Sequence, residues 1–183
     1  MSIDPTKGHV RRLRLFLRDF RMIEAHASLA DGQSLTSWLA NRKQYVNLRG
    51  AVWTTTNERA QHVVLRIPQV LWAASMDGDI SLVSAAPTAA PRHVELQLEG
   101  GLFVRGGLNL GERQRLSDYL ETQPPFIPLR NAQLLRSGRP SKEVNVVLGD
   151  VVLNQEAVQA MWEVEAQEPG ADSEPARARA SKV

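Results

Sequence analysis

Shifted by 81 positions, this chain falls on itself. Between 29–53 and 110–134 seven of 25 positions are identical: Leu29/Leu110, Gln33/Gln114, Leu35/Leu116, Leu39/Leu120, Leu48/Leu129, Arg49/Arg130 and Ala51/Ala132. Trp38/Tyr119, Tyr45/Phe126 and Val46/Ile127 exchange similar shapes, the kind of substitution a shared packing plan tolerates. Upstream the same offset pairs Leu15 with Leu96 and Leu17 with Leu98. Downstream it slips by seven, so that "VVLRIPQVLW" from 63 falls on "VVLNQEAVQAMW" from 151. The loop "SGRPSKE" holds the extra residues, where insertion costs little. A duplicated segment is expected, with a first repeat over 10–76, a linker over 77–91, a second repeat over 92–164 and a tail over 165–183.

Within each repeat the apolar period is mostly two. "RRLRLFLRD" sets Leu13, Leu15 and Leu17 on one face and Arg12, Arg14, Phe16 and Arg18 on the other, the mark of a half-buried strand. "HVELQLEGG" repeats the scheme with Val94, Leu96 and Leu98. Glu99-Gly100-Gly101-Leu102 then reads as a tight two-residue hairpin turn, since paired glycines reach the positive φ it demands, and Gly106-Gly107 reads as a bulge. The helical period occurs once per repeat, at Leu35, Trp38 and Leu39 and again at Leu116, Tyr119 and Leu120, with Pro124-Pro125 stopping the second helix. So short a helix does not persist alone in water, so it must lie on a sheet or plug a barrel end. The expected class is mainly β with minor α: two small β-barrel or sheet domains, each with one short helix.

Hydrophobic residues make up 43% of the 183, enough for a real core. No apolar run approaches the roughly 18 residues of a membrane span, and the first residues lack a signal peptide's pattern. A soluble, cytoplasmic protein is the expectation, and the absence of cysteine excludes disulfides and thiolate chemistry. From "AQEPGADSEP" onward no large apolar residue occurs, which predicts a disordered tail.

The block "LEGGLFVRGGLNLGERQRLSDYL", "FIPLRNAQLL" and "VVLNQEAVQAM" resembles a small family of bacterial proteins marked by a glycine-centred hairpin, an "RLSDxL" helix and an "F(I/L)PLxxA" strand. The likeness covers 92–162 well and 13–73 loosely, where "SLTSWL" stands for "RLSDYL" and "YVNL" for "FIPL". It implies a domain type and no activity. The strand order is also similar to Sm-like small barrels, at the level of fold alone.

Residues for chemistry are scattered. His9, His26, His62 and His93 stand singly, without metal spacing. The glycines of "EGGLFVRGGLNLG" do not lead from a strand into a helix N-terminus, so they form no phosphate cradle. Asp118 and Glu121 fall on a solvent-facing stripe, and G-x-S-x-G is absent. No catalytic residue, metal or cofactor is therefore expected.

Two charged features remain. Arg49 and Arg130 are the one charged residue kept between 29–53 and 110–134, suited to stacking on an aromatic ring, to gripping a carboxylate such as Asp118, or to binding a ligand. Three other positions reverse sign: Arg14/Glu95, Arg18/Glu99 and Glu24/Arg105. Were the first strands of the repeats to meet antiparallel, Arg14 would oppose Glu99 and Arg18 would oppose Glu95; drift of exposed charges is the alternative. The leading expectation is a non-enzymatic scaffold or regulatory module whose repeats dock on each other, on a protein partner or on further copies. The other is a single-stranded nucleic-acid binder using Arg11, Arg12, Arg14, Phe16, Arg18 and Arg21. Against the second stand a net charge of only +2 and a mildly acidic second repeat.

Overall fold

Leu13, Leu15 and Leu17 are buried while Arg12, Arg14 and Phe16 keep some exposure, as the period of two requires. They lie on the first strand of a computed structural model that describes residues 8–42, 44–78, 82, 90–111, 113–122, 125–135 and 144–165, with backbone alone at 144 and 145. The first unit runs β1 (His9–Leu17), β2 (Met22–Leu29), α1 (Leu35–Ala40), β3 (Tyr45–Trp53), β4 (Arg59–Arg66), a 3-10 turn (Ile67–Gln69) and β5 (Val70–Ser75). The second repeats that order: β6 (Arg92–Leu98), β7 (Leu102–Leu108), α2 (Leu116–Thr122), β8 (Phe126–Leu135), β9 (Val144–Asn154), a 3-10 turn (Gln155–Ala157) and β10 (Val158–Glu163).

The repetition extends to register. Leu15 faces Ile23 across β1 and β2, and Leu96 faces Val104 across β6 and β7, each 81 residues on. The register shift opposite Glu24 and His26 returns opposite Arg105 and Gly107; the extra residue lies on β3 and β8, so the paired glycines face the bulge rather than form it. Tyr45 opposite Arg66 becomes Phe126 opposite Asn154, shifted by 81 on one strand and 88 on the other. Of the seven extra residues, four lengthen β8 and β9 and three fall between them; "SGRPSKE" itself is outside the described residues. One detail differs from the sequence reading: Leu98 pairs with Leu102, so the hairpin turn has three residues, with both Gly100 and Gly101 at positive φ.

All ten strands form one antiparallel sheet in the order β10-β6-β7-β8-β9-β5-β1-β2-β3-β4. Each unit contributes five neighbouring strands, and β5 joins β9 through Trp72↔Leu153, Ala73↔Val152 and Ala74↔Val151. The first strands of the units do not meet. β1 lies between β5 and β2, and β6 between β10 and β7.

Both cores straddle the junction. That of the first unit, around Leu13, Ile23, Trp38 and Leu48, takes in Phe126 and Val152; that of the second, around Leu96, Val104 and Leu129, takes in Leu71, Trp72 and Ala74. Trp38 and Tyr119 are both buried, as are Leu48 and Leu129. Ser34 caps α1 by accepting from the Ser37 amide, and the helix buries Leu35, Trp38 and Leu39. It also touches β8 of the other unit, whereas α2 fully buries only Tyr119. Within the linker, Leu82 is buried on the first core and its carbonyl accepts from Thr36. Most of 77–91, Pro124, and the tail beyond 165 lie outside the described residues. Among the described residues no helix is long and apolar enough to cross a membrane.

Candidate functional site

The reversed charges form two different arrangements. Arg14 stands directly opposite Glu24 on β1 and β2, with Nη2 and Nε 2.7 and 3.0 Å from Glu24 Oε1. Glu95 stands opposite Arg105 on β6 and β7, with Arg105 Nε 2.8 Å from Glu95 Oε1. Two of the three reversals are thus one exchange, and each hairpin keeps its own acid and base. The expected pairs Arg14–Glu99 and Arg18–Glu95 do not form, because β1 and β6 are not neighbours.

Arg18 and Glu99 cross the junction. The Arg18 guanidinium donates to the Glu99 carboxylate and to the Pro68 carbonyl, with Glu156 at 4.0 Å. The turn after β1 therefore touches its own equivalent, the turn after β6. Phe20 holds φ at 62°, where the second unit has Gly101, and its ring covers Gly100 so closely that a Cβ there would collide with it. Phe20 also tilts against Phe16 at 6.2 Å, and Phe16 stacks on Trp72 of β5 at 5.6 Å. An ion pair and an aromatic row thus sit where the units meet.

The basic stripe is largely matched by acids of the same chain. Arg12 lies 3.4 Å from Glu24, and its backbone N–H donates to Asp77 at 2.8 Å. Arg21 donates to Asp19 at 2.7 Å and covers Trp53 at 4.7 Å; this bond holds the Asp19 carboxyl below its usual range. Arg11 is half-buried, and Phe16 is engaged with Trp72.

Arg49 and Arg130 each precede a left-handed residue, Gly50 at φ 55° and Asn131 at φ 49°, in the bulge of β3 and β8. Arg49 faces His26, and Arg130 faces Gly107. Asp118 accepts from the Arg115 amide and Ser117, and among the described residues neither repeated arginine forms an ion pair. Among the described residues the arginines that cover aromatic rings are Arg21 and Arg42. The sequence signal for Arg42 was its place four residues after Trp38, which it covers at 5.5 Å. A pocket of about 200 Å³ beside Arg49 is lined by His26, Ser28, Trp38, Arg42 and Asn47. Arg42, Arg49 and the polar groups of Ser28 and Asn47 could meet an anion there. His9 bonds Asp31 at 2.6 Å, and among the described residues no cluster of His, Asp or Glu could hold a metal ion.

Fold and site together define a tandem of two alike β units joined edge to edge through one sheet. Comparison with protein-family models, with curated proteins and with solved structures finds no match.

Proposed function

We propose that this chain is a non-enzymatic interaction module, a cytoplasmic scaffold or regulator whose two β units, copies of one ancestral segment, dock into a single platform. One observation carries the reading: β5 and β9 join the units through buried backbone pairing, with side chains of each unit in the other's core. Such a junction fixes the geometry of two surfaces, as a scaffold requires. Arg18 and Glu99 add partner choice more than strength. They are 26% and 39% exposed, so the pair contributes only about 0.2–1 kcal/mol.

The test is unfolding of the full chain in urea, followed by tryptophan fluorescence and by circular dichroism. One coincident transition is expected. Arg18→Glu should lower its midpoint, and Glu99→Arg in the same background should restore it. Two separate transitions, or no restoration, defeat the docking reading. The nucleic-acid alternative has less support because its arginines face carboxylates. Flow-through on a polyanion column at about 100 mM salt is expected, and retention there with several phosphate contacts would favour the alternative.

A further inference from the structure

We propose that the two outer edges of the sheet pair between copies, β4 of one chain against β10 of the next, in the register that β9 and β5 use inside the chain. The inference rests on the interaction-module reading and names its partner as a second copy.

The strands at the internal junction have equivalents at the two ends of the sheet. β4 is the first unit's version of β9, and Val63-Val64-Leu65 is the same tripeptide as Val151-Val152-Leu153. In β9 all three residues are fully buried; in β4 Val64 is 65% exposed and Val63 half-exposed. β10 is the second unit's version of β5. Val70 to Ala74 are all buried, while their equivalents Val158, Gln159, Ala160, Met161 and Trp162 are half-buried or exposed. The chain thus keeps, at its ends, apolar strands of the kind it buries in the middle. Natural edges are blunted by lysine, proline or shortness; β4 has eight residues and neither lysine nor proline.

The register follows from the internal one. Moving Trp72↔Leu153, Ala73↔Val152 and Ala74↔Val151 by 88 on each strand gives Ala160↔Leu65, Met161↔Val64 and Trp162↔Val63 between copies. Outside these apolar pairs the same register sets His62 opposite Glu163 and Arg66 opposite Gln159. The β4 edge is basic, with Arg59 and Arg66, and the β10 strand ends at Glu163. Glu163 is already held by Arg92 of its own chain, so the apolar pairs rather than opposite charges carry this register.

The third charge reversal gains a reason here. At the internal junction the turn after β1 meets its own equivalent, so two copies of one charge would repel. Between copies the same turns meet with roles exchanged, Glu99 of one chain against Arg18 of the next. Reversal at this position keeps both junctions attractive. Because β4 meets a different strand, the contact is head to tail and propagates to a ring or an open row.

Sedimentation of the full chain across the micromolar range tests the proposal. Whole-number multiples of 20.3 kDa are expected. Val64→Lys, at a position exposed in the single chain, should raise the dissociation constant about 100-fold or more by forcing an unpaired charge into an apolar contact, with the unfolding midpoint of the single chain unchanged. Val147→Lys, at a β9 position 72% exposed and outside the edge pairing, should leave assembly intact. A wild-type chain that stays at 20.3 kDa throughout overturns the proposal and would mean another occupant covers the edge; assembly that survives Val64→Lys overturns it too, by placing the contact elsewhere. A 20.3 kDa chain with one cooperative transition overturns edge pairing alone; separate transitions of the two units overturn the docking reading as well.

Discussion

Phe126 and Tyr45 hold equivalent positions at the start of β8 and β3, yet Phe126 is 1% exposed and Tyr45 is 51% exposed. The difference comes from the junction. Phe126 faces Asn154 on β9, beside β5, and its ring enters the core of the opposite unit; Tyr45 faces Arg66 on the free edge. Phe126→Ala removes a ring that buries about 150 Å² or more, worth about 4 kcal/mol at roughly 25 cal/mol per Å². Buried phenylalanine truncations cost about 3–5 kcal/mol, in agreement. Tyr45→Ala should cost about 1 kcal/mol in the single chain, because half of its surface is already in water. The assay is urea unfolding at low protein concentration with the slope held constant, together with hydrogen exchange of β1 and β2. Phe126→Ala should loosen those two strands although the substitution lies in the other unit. A cost at 126 no larger than at 45, or β1 and β2 protected as before, refutes the shared core.

Gly100→Ala should cost about 1–3 kcal/mol in thermal or chemical unfolding, since its φ of 76° is joined by collision with Phe20; Gly101→Ala, with φ 74° and open space, should cost less. Arg105→Ala should destabilise by about 3–5 kcal/mol because Glu95, 2% exposed, is left without its cation, whereas Arg14→Ala at the more exposed pair should cost under about 1 kcal/mol. Burial pushes the Tyr119 hydroxyl up to about 12, so the folded state holds its proton more tightly than the unfolded chain. Stability from this group is complete below about pH 10 and is lost as pH rises toward 12, by roughly 2–3 kcal/mol; Tyr119→Phe should remove that slope in unfolding followed against pH.

The order of elements and the strand faces were legible because they depend on local period. Leu13, Leu15 and Leu17 declare a buried face wherever their strand finally sits, whereas Gly106-Gly107 pointed to the wrong strand: the extra residue is on β8, beside left-handed Asn131, and the glycines lie opposite it. Which strands meet is another matter, since alternation names a face and not a neighbour. The signal for the junction was present in another form. "VLWAA" at 70–74 is an unbroken apolar run, as a strand buried on both faces requires, while β1 and β6 alternate with charges; "VVL" does not discriminate, since it occurs in edge strand β4 as well as in β9. A meeting of β1 with β6 would have left the run of β5 at an edge. Among the described residues Arg49 and Arg130 pair with no carboxylate, and each stands in a bulge just before a left-handed residue.

The three charge reversals also differ in what they can say about partners. Exchange of Arg14 and Glu24 for Glu95 and Arg105 leaves each hairpin neutral across its own pair, so it is invisible to the other unit. Arg18 and Glu99 touch each other, and neither can change alone without confronting a like charge or an unpaired one. That pair makes the two units unequal. Two first units set turn to turn would oppose arginine with arginine, and two second units glutamate with glutamate; only alternation satisfies both. A single chain carrying one unit of each kind enforces the alternation covalently. Selection on this contact should therefore act on residues 18 and 99 jointly, so the doubly reversed Arg18→Glu/Glu99→Arg chain should fold and associate like the original while each single reversal does neither as well.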